Sequence, residues 1–154
     1  MATLKDRLNK DLIQALKAKE EVKLATLRLL SSAIHNKEID KRAKTNGDDV
    51  LTDEETLGVL KNEAKKRKEA VELYDKGGRA DLSAREKGEL EIIEEYLPAE
   101  MTDEELGKIV DEVFLEVLPS GPADFGKLMG AAMKKTAGRA SGDRVKEAIE
   151  RKLT

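Results

Sequence analysis

The sequence has 154 residues, which is enough for one or two compact units but too few for a large enzyme with a separate cofactor domain. It contains no cysteine and a single histidine, and so excludes disulfides, zinc–thiolate sites and metal cages built from histidines. Charged residues make up 40% of the chain and aromatic residues 3%, a composition that favours helices over β-sandwiches and base-stacking surfaces.

The N-terminal part of the sequence predicts four helices, because apolar residues recur there at every third or fourth position. In the first helix leucine recurs from Leu4 to Leu16, after the capping residue Thr3. Thr52 begins the third helix with a capping box, and the turn-forming segment before it, residues 45–49, predicts a flexible loop. The second helix fades into the polar residues 41–44, and the remaining breaks and caps lie at residues 17–20, 77–78, Asp81 and Pro98.

Three shorter helices are predicted in the rest of the chain. Thr102 begins the fifth helix with another capping box, and residues 119–122 end it. Asp124 is expected to cap a sixth helix that extends to Gly138, and residues 141–143 begin the seventh.

The predicted fold is therefore all-α, with N-terminal helical hairpins in residues 1–98 and a C-terminal three-helix bundle in residues 99–154. The boundary is placed at Pro98 because two strong helices meet there at a proline. Residues 1–18 lack the apolar core of a secretory signal, and no run approaches the ~18 apolar residues of a membrane span. We therefore expect a cytoplasmic protein that does not enter a membrane.

Charge is unevenly distributed along the chain, whose net charge is −3. Residues 1–118 carry 21 basic and 28 acidic side chains, whereas residues 119–154 carry 8 basic and 4 acidic ones. This asymmetry predicts a basic tail on an acidic body.

Two glycines are the least expected residues of the sixth helix. Gly126 and Gly130 lie four positions apart, and each costs about 0.5–1 kcal/mol relative to alanine inside a helix. Close packing against a neighbouring helix is the simpler explanation and the one we favour. The alternative is a bare helix surface against which an RNA backbone can lie.

The segment after these glycines is rich in cations. Lys134 and Lys135 are explained by the favourable position of cations at a helix C-terminus. Arg139 and Arg144 are not, and the density of positive charge indicates a face that contacts phosphates.

A pair of opposite charges is predicted between the third and fourth helices. Arg67 lies on the apolar stripe of its helix, and Glu86 lies on the stripe of the next. Because burial of an unpaired charge is very costly, we expect Arg67 to form a half-buried pair with Glu86, or alternatively with Glu89. The pair is interpreted as structural, holding the hairpin together.

No catalytic signature is present in the sequence. It has no Gly-x-Ser-x-Gly motif, no phosphate-binding Gly-x-x-x-x-Gly-Lys-Ser/Thr loop and no His-Glu-x-x-His motif. His35, the single histidine, is interpreted as a surface or interface side chain. We therefore predict no catalytic residue, no metal site and no cofactor.

The order of motifs along the chain resembles the GatB/YqeY family over nearly its whole length. The segments that carry the likeness are residues 11–19, 26–30, 63–69, 79–82 with Glu86 and Glu89, 96–98, 124–130 and 138–143. The resemblance implies an N-terminal helical domain and a C-terminal three-helix domain. The second is similar to the tail of the B subunit of the glutamine-dependent amidotransferase that corrects mischarged Asp-tRNA and Glu-tRNA.

In that enzyme the tail engages the tRNA body, and the carbon–nitrogen ligase chemistry lies in a separate domain of which this sequence shows no residue. The resemblance therefore implies an accessory module that binds tRNA or another structured RNA, and an amidotransferase component only in trans. The tail-motif positions present in this sequence are Gly126, Lys127, Gly130, Lys134, Gly138 and Arg139. Together with the density of positive charge, the resemblance leads us to predict these contact residues: Gly126, Lys127, Gly130, Lys134, Lys135, Arg139 and Arg144. The alternative is a protein-interaction module that docks a partner through the acidic N-terminal body.

Overall fold

The computed structural model describes residues 2–47 and 49–153, and within them the chain forms seven α-helices and no β-strand. This confirms the predicted all-α class. One residue of the predicted 45–49 loop, Asp48, lies outside the described residues, and Thr45 belongs to a helix. The helices are α1 (Leu4–Lys17), α2 (Glu21–Thr45), α3 (Asp53–Lys76), α4 (Ala80–Glu94), α5 (Asp103–Val117), α6 (Phe125–Thr136) and α7 (Gly142–Leu153), with a 3₁₀ turn at Pro122–Asp124.

Three helices begin at the predicted threonine caps. In each, the threonine hydroxyl accepts a hydrogen bond from the backbone N–H three residues later, and the acid at that position accepts one in return. Such a cap is worth about 1 kcal/mol, and it fixes where the helix starts. The three caps are Thr3, Thr52 and Thr102.

Two other predicted caps do not form. Asp81 lies in the first turn of α4, where its carboxylate accepts hydrogen bonds from Arg79. Asp124 makes no cap to α6, because its carboxylate instead accepts from the backbone and hydroxyl of Ser120. In both cases the carboxylate accepts hydrogen bonds from a residue that precedes it in the sequence, and not from the helix that follows.

The helices are grouped into two compact units, Met1–Leu97 and Pro98–Thr154. In the first unit α1 packs on α2, α3 packs on α4, and α2 contacts both helices of the second hairpin. The side chains at the centre of its core are fully buried: Leu27, Leu30, Ile34, Leu60 and Ile93.

The end of α4 is joined to α1 by a polar contact at the edge of this core. The Tyr96 hydroxyl donates a hydrogen bond of 2.5 Å to a carboxylate oxygen of Asp11, and the Arg7 guanidinium lies 4.7 Å from the centre of the tyrosine ring. Burial, and then the hydrogen bond to Asp11, raises the pKa of Tyr96 well above its usual range. The tyrosine therefore stays neutral and keeps its proton in this contact.

In the second unit α5, α6 and α7 all contact one another as a three-helix bundle. Its separate core is centred on Val113, Leu128, Val145 and Ile149, none of which is exposed to solvent.

Candidate functional site

The two glycines of α6 face open space. Gly126 and Gly130 are both exposed, and a Cβ atom added to either would meet no atom within 4 Å. Close packing against a neighbouring helix, the explanation that we favoured from the sequence, therefore does not account for them. The alternative, a bare helix surface, is what the structure has at this position.

Several neighbours of these glycines share the exposed side of α6. At 3.6 residues per turn, Lys127, Met133 and Lys134 project to the same side as the two glycines, and all three are exposed. We term these five residues the glycine face. No acidic residue occurs in α6, so the charge on this face is positive.

The two lysines of the glycine face are only loosely held. Lys127 Nζ lies 3.9 Å from a carboxylate oxygen of Asp124, and its side chain is 78% exposed. Hydrogen bonds from the Ser120 backbone and hydroxyl lower the pKa of Asp124, so that carboxylate is ionised and already occupied. Lys134 takes part in no ion pair with any residue that the structure describes.

Two other predicted contact residues are engaged by acids of α5. Lys135 Nζ lies 2.6 Å from Glu116 and 3.3 Å from Glu112. Arg144 Nη2 lies 2.9 Å from a carboxylate oxygen of Asp103. These contacts join α6 and α7 to α5, so both cations have a structural role.

Arg139 is engaged by a loop and by a cap. Its Nε donates to the carbonyl oxygen of Ala99 at 2.9 Å, and its Nη2 lies 3.5 Å from Glu105. The backbone carbonyl of Arg139 accepts from the N–H of Met101 at 2.7 Å. Arg139 thus fastens the segment before α5 to the turn between α6 and α7.

Because of these ion pairs, the cations of residues 119–154 do not together form a separate basic surface. The acids of α5 belong to the same unit as the basic tail, and residues 98–154 together carry nine basic and eleven acidic side chains. Residues 1–97 carry twenty basic and twenty-one acidic ones, and are nearly neutral. The predicted basic tail is therefore largely neutralised by its own neighbours, and the predicted acidic body does not correspond to the N-terminal unit.

Arg67 pairs with a different carboxylate from the one expected first. Its Nε donates to Glu89 at 3.3 Å, and its Nη1 donates to the carboxylate of Glu63 at 2.7 Å. Among the described residues Glu86 takes part in no ion pair. The antiparallel geometry of the hairpin explains this, because Arg67 and Glu89 are equally distant in sequence from the turn residue Gly78, whereas Glu86 lies about one helical turn nearer to it.

The three charges of this cluster are nearly buried. The side chains of Arg67, Glu63 and Glu89 are 9%, 14% and 12% exposed. Burial raises the pKa of Glu63, but hydrogen bonds from Arg67 and Lys66 outweigh it and leave the pKa below its usual value. Glu63 is therefore ionised at neutral pH, and the cluster holds α3 to α4.

A groove beside this cluster was not foreseen from the sequence. It has a volume of about 430 Å³ and lies where α2, α3 and α4 meet. Its lining includes Leu29, Arg67, Tyr74, Leu82 and Glu86. We term it the Arg67 groove. In the sequence, Leu29 gives a hint of this groove, because it is a leucine outside the apolar stripe of its helix.

No cluster of metal-binding side chains, that is of three or more histidine or acidic residues, occurs in residues 2–47 and 49–153. His35 is exposed, with Nδ1 3.6 Å from Glu38. No helix in the described part of the chain is apolar over a stretch long enough to cross a bilayer.

A family model described as Yqey-like protein matches residues 5–153. Curated relatives named "Altered inheritance of mitochondria protein 41, mitochondrial" also match. The relative from Lachancea thermotolerans is 32% identical over 153 residues, covering 95% of this chain and 79% of its own length. The relative from Vanderwaltozyma polyspora is 41% identical over 91 residues, covering 58% of this chain and 46% of its own length. The relative from Pyrenophora tritici-repentis is 28% identical over 137 residues, covering 87% and 71%.

The names of these relatives contradict our expectation of a cytoplasmic protein, because they are mitochondrial proteins by name. That expectation was wrong. It rested on the lack of a secretory signal and of an apolar span, and neither property distinguishes the cytoplasm from the interior of an organelle.

Proposed function

This chain belongs to the Yqey-like protein family, and we propose that it is an RNA-binding accessory module whose ligand is tRNA or another structured RNA. The observation that carries the proposal is the glycine face of α6. It combines an open helix backbone with two lysines that no strong ion pair restrains.

The shape of the glycine face suits a bulky, negatively charged partner. Without Cβ atoms at Gly126 and Gly130, a ribose–phosphate chain can approach the helix more closely than alanine would allow. Lys127 and Lys134 flank the glycines and can each neutralise a phosphate. Of the seven predicted contact residues we retain Gly126, Lys127, Gly130 and Lys134. The other three, Lys135, Arg139 and Arg144, are engaged within the C-terminal unit.

The aromatic side chains favour folded RNA over a single strand. The protein has two phenylalanines and two tyrosines, and each of the four is at least partly buried. Proteins that bind single strands stack bases on exposed aromatic rings, and no phenylalanine or tyrosine ring is fully exposed in the described part of the chain. Contact through the backbone of a helical RNA needs no stacking and is largely independent of sequence.

The proposal includes no catalysis by this chain alone. A role in glutamine-dependent amide formation would be that of a component that holds RNA for a separate catalytic subunit. The alternative function, docking through an acidic N-terminal body, is weakened because that unit is nearly neutral.

Binding of unfractionated tRNA as a function of salt tests the proposal. With two lysine–phosphate contacts, the logarithm of the association constant should fall against the logarithm of salt with a slope of about −1 to −2. Lys127→Ala and Lys134→Ala should each flatten the slope by about one unit for all tRNA species alike.

Lys135→Ala is the matched control, because Lys135 lies next to Lys134 in sequence but is held by α5. It should leave the slope unchanged. Gly130→Leu adds bulk without changing charge, and should abolish binding while the protein stays folded. A wild-type protein that ignores tRNA at low salt would contradict the proposal.

A further inference from the structure

The N-terminal unit is nearly neutral as a whole, but its two hairpins carry opposite charges. Residues 4–45, which contain α1 and α2, have eleven basic and six acidic side chains. Residues 53–97, which contain α3 and α4, have nine basic and thirteen acidic ones. The first hairpin therefore has a net charge of +5 and the second a net charge of −4. An extended negative surface would orient such a unit with α1 and α2 toward it.

Two large apolar side chains are exposed on the outer side of α1. Ile13 is 51% exposed, and at 3.6 residues per turn it projects away from the side that Leu8 and Ala15 bury in the core. Leu16 lies one turn further along and is also 51% exposed. The helix thus has an apolar surface in solvent in addition to the one that it buries.

The charged neighbours of Ile13 on this helix are all basic. On a helix surface a residue lies next to those three and four positions away, which here are Asn9, Lys10, Leu16 and Lys17. Both lysines are exposed, and neither takes part in an ion pair with any residue that the structure describes. We term Lys10, Ile13, Leu16 and Lys17 the Ile13 patch.

The acids nearest to this patch do not neutralise it. Asp11 projects to the opposite side of α1 from Ile13, where its carboxylate accepts the hydrogen bond from Tyr96. Asp6 is engaged in the cap at the start of the helix, two turns from Ile13. The turn after α1 and the first residues of α2 contribute two acids and two lysines, which balance in number: Glu20, Glu21, Lys19 and Lys23.

The combination of charge and apolar surface determines which partner fits the patch. The unpaired lysines select a negative partner, and the exposed Ile13 and Leu16 select one with an apolar layer beneath its charges. The phosphate backbone of a folded RNA has no such layer. The patch lies on the convex side of one helix, whereas a partner helix is bound in a groove. A bilayer that contains anionic lipids is flat, negative at its surface and apolar below it.

We infer that the Ile13 patch binds the surface of an anionic lipid bilayer. Ile13 and Leu16 enter the boundary between the headgroups and the acyl chains. Lys10 and Lys17 lay their aliphatic stems along this boundary and extend their ammonium groups to the lipid phosphates. The helix α1 lies along the bilayer and does not cross it. This site belongs to the N-terminal unit, so either this inference or the RNA proposal for α6 can fail without affecting the other.

Co-sedimentation of the full-length protein with lipid vesicles tests the inference. The vesicles contain phosphatidylserine and phosphatidylcholine in equal parts, and vesicles of phosphatidylcholine alone are the comparison. The protein should sediment with the anionic vesicles at low salt, less as salt screens the lysines, and not with the neutral vesicles. No sedimentation at low salt, or equal sedimentation with both kinds of vesicle, would overturn the inference.

A pair of apolar variants identifies the surface that is used. Ile13→Gln should weaken binding to the anionic vesicles about tenfold, because it removes an apolar side chain from the lipid boundary. Leu115→Gln is the matched control, since Leu115 is 75% exposed but has Asp111 and Glu112 as helix neighbours in place of lysines. It should leave the affinity unchanged, and circular dichroism checks that both variants are folded. Equal losses from the two variants would overturn the inference.

A pair of lysine variants separates the patch from a general effect of charge. Lys17→Ala should weaken binding about fivefold, which corresponds to one lysine at an anionic surface. Lys134→Ala removes an exposed lysine of the glycine face and should leave vesicle binding unchanged. Equal losses from these two variants would show that any lysine suffices and would overturn the inference.

Two further probes represent the competing kinds of partner, tRNA for a nucleic acid and soluble poly-glutamate for an acidic protein. Ile13→Gln should leave the affinity for both unchanged. If either probe binds the wild type more tightly than Ile13→Gln and anionic vesicles do not displace it, the patch belongs to that kind of partner and the inference is overturned.

Discussion

Arg67 is the most heavily bonded charged residue between α3 and α4, and its replacement is the most informative single change. Arg67→Ala should lower the free energy of unfolding of the N-terminal unit by about 3 kcal/mol, because it leaves the carboxylates of Glu63 and Glu89 nearly buried without a cation. Urea denaturation followed by circular dichroism measures this.

The neighbouring residue provides the control. Lys66→Ala removes a contact of 3.1 Å to Glu63 at an exposed site, so it should change stability by less than about 0.5 kcal/mol. Small and equal losses from Arg67→Ala and Lys66→Ala would show that Arg67 acts as an ordinary surface cation.

Ser83 has a buried hydroxyl with no hydrogen-bond partner. Ser83→Ala removes that unsatisfied group and introduces a better helix former, so we expect stability to rise by about 0.5–2 kcal/mol. The melting temperature measures the change. Thr56→Val is the contrast, because the Thr56 hydroxyl donates to the Thr52 carbonyl at 3.0 Å and its removal should not stabilise. Destabilisation by Ser83→Ala would contradict this account.

At the scale of the single helix, α6 carries glycines that its own fold does not need. Gly130→Ala should raise stability by about 0.5–1 kcal/mol, since the added Cβ meets nothing within 4 Å and alanine restricts the unfolded chain. The same change at Gly78, whose φ is +70°, should destabilise, because the left-handed region disfavours alanine. A loss of stability in Gly130→Ala would show that the glycine serves packing.

The α3–α4 hairpin should also have a defined response to acid. The pKa of Glu63 is lowered from 4.5, so its contribution to stability is complete above about pH 4.5 and is lost as the pH falls through the folded-state value. The urea midpoint of the N-terminal unit should therefore decrease in that range. Glu63→Gln should flatten the decrease, and an unchanged pH profile in this variant would contradict the role of Glu63.

How well a cap or an ion pair can be predicted depends on how far apart its two residues lie in the sequence. The capping box at Thr52 was foreseen because both of its members lie within three residues. The pair of Arg144 with Asp103 was not, because partners 41 residues apart meet only through the packing of α7 on α5. The Arg67–Glu89 pair is of intermediate predictability. Arg67 and Glu89 are equally far in sequence from Gly78, and this could have favoured Glu89 over Glu86 as the partner.

The glycine face shows a second limit. Two glycines four residues apart give the same pattern whether a helix packs against them or leaves them open, so the sequence alone could not decide. Only the space around Gly126 and Gly130 decides it.

At the scale of the whole molecule, each of the two units has its own apolar core. We therefore expect fragments 1–97 and 98–154 each to retain a helical circular dichroism spectrum and a cooperative melting transition. The second is the more demanding case, because about 57 residues are marginal for a domain without disulfides or metals. A fragment 98–154 that is unfolded at low temperature would contradict this prediction.

The ion pairs between α5 and the two following helices also determine which piece of this protein can be transplanted. A fusion that carried only α6 and α7 would leave Lys135, Arg144 and Lys152 without Glu116, Asp103 and Asp111, and would expose the apolar sides of both helices. Such a fusion would tend to aggregate through its apolar surface. Its unpaired cations would also bind any nucleic acid non-specifically. The smallest unit that can be exchanged is therefore three helices long, because the acids of α5 pair with the cations of α6 and α7.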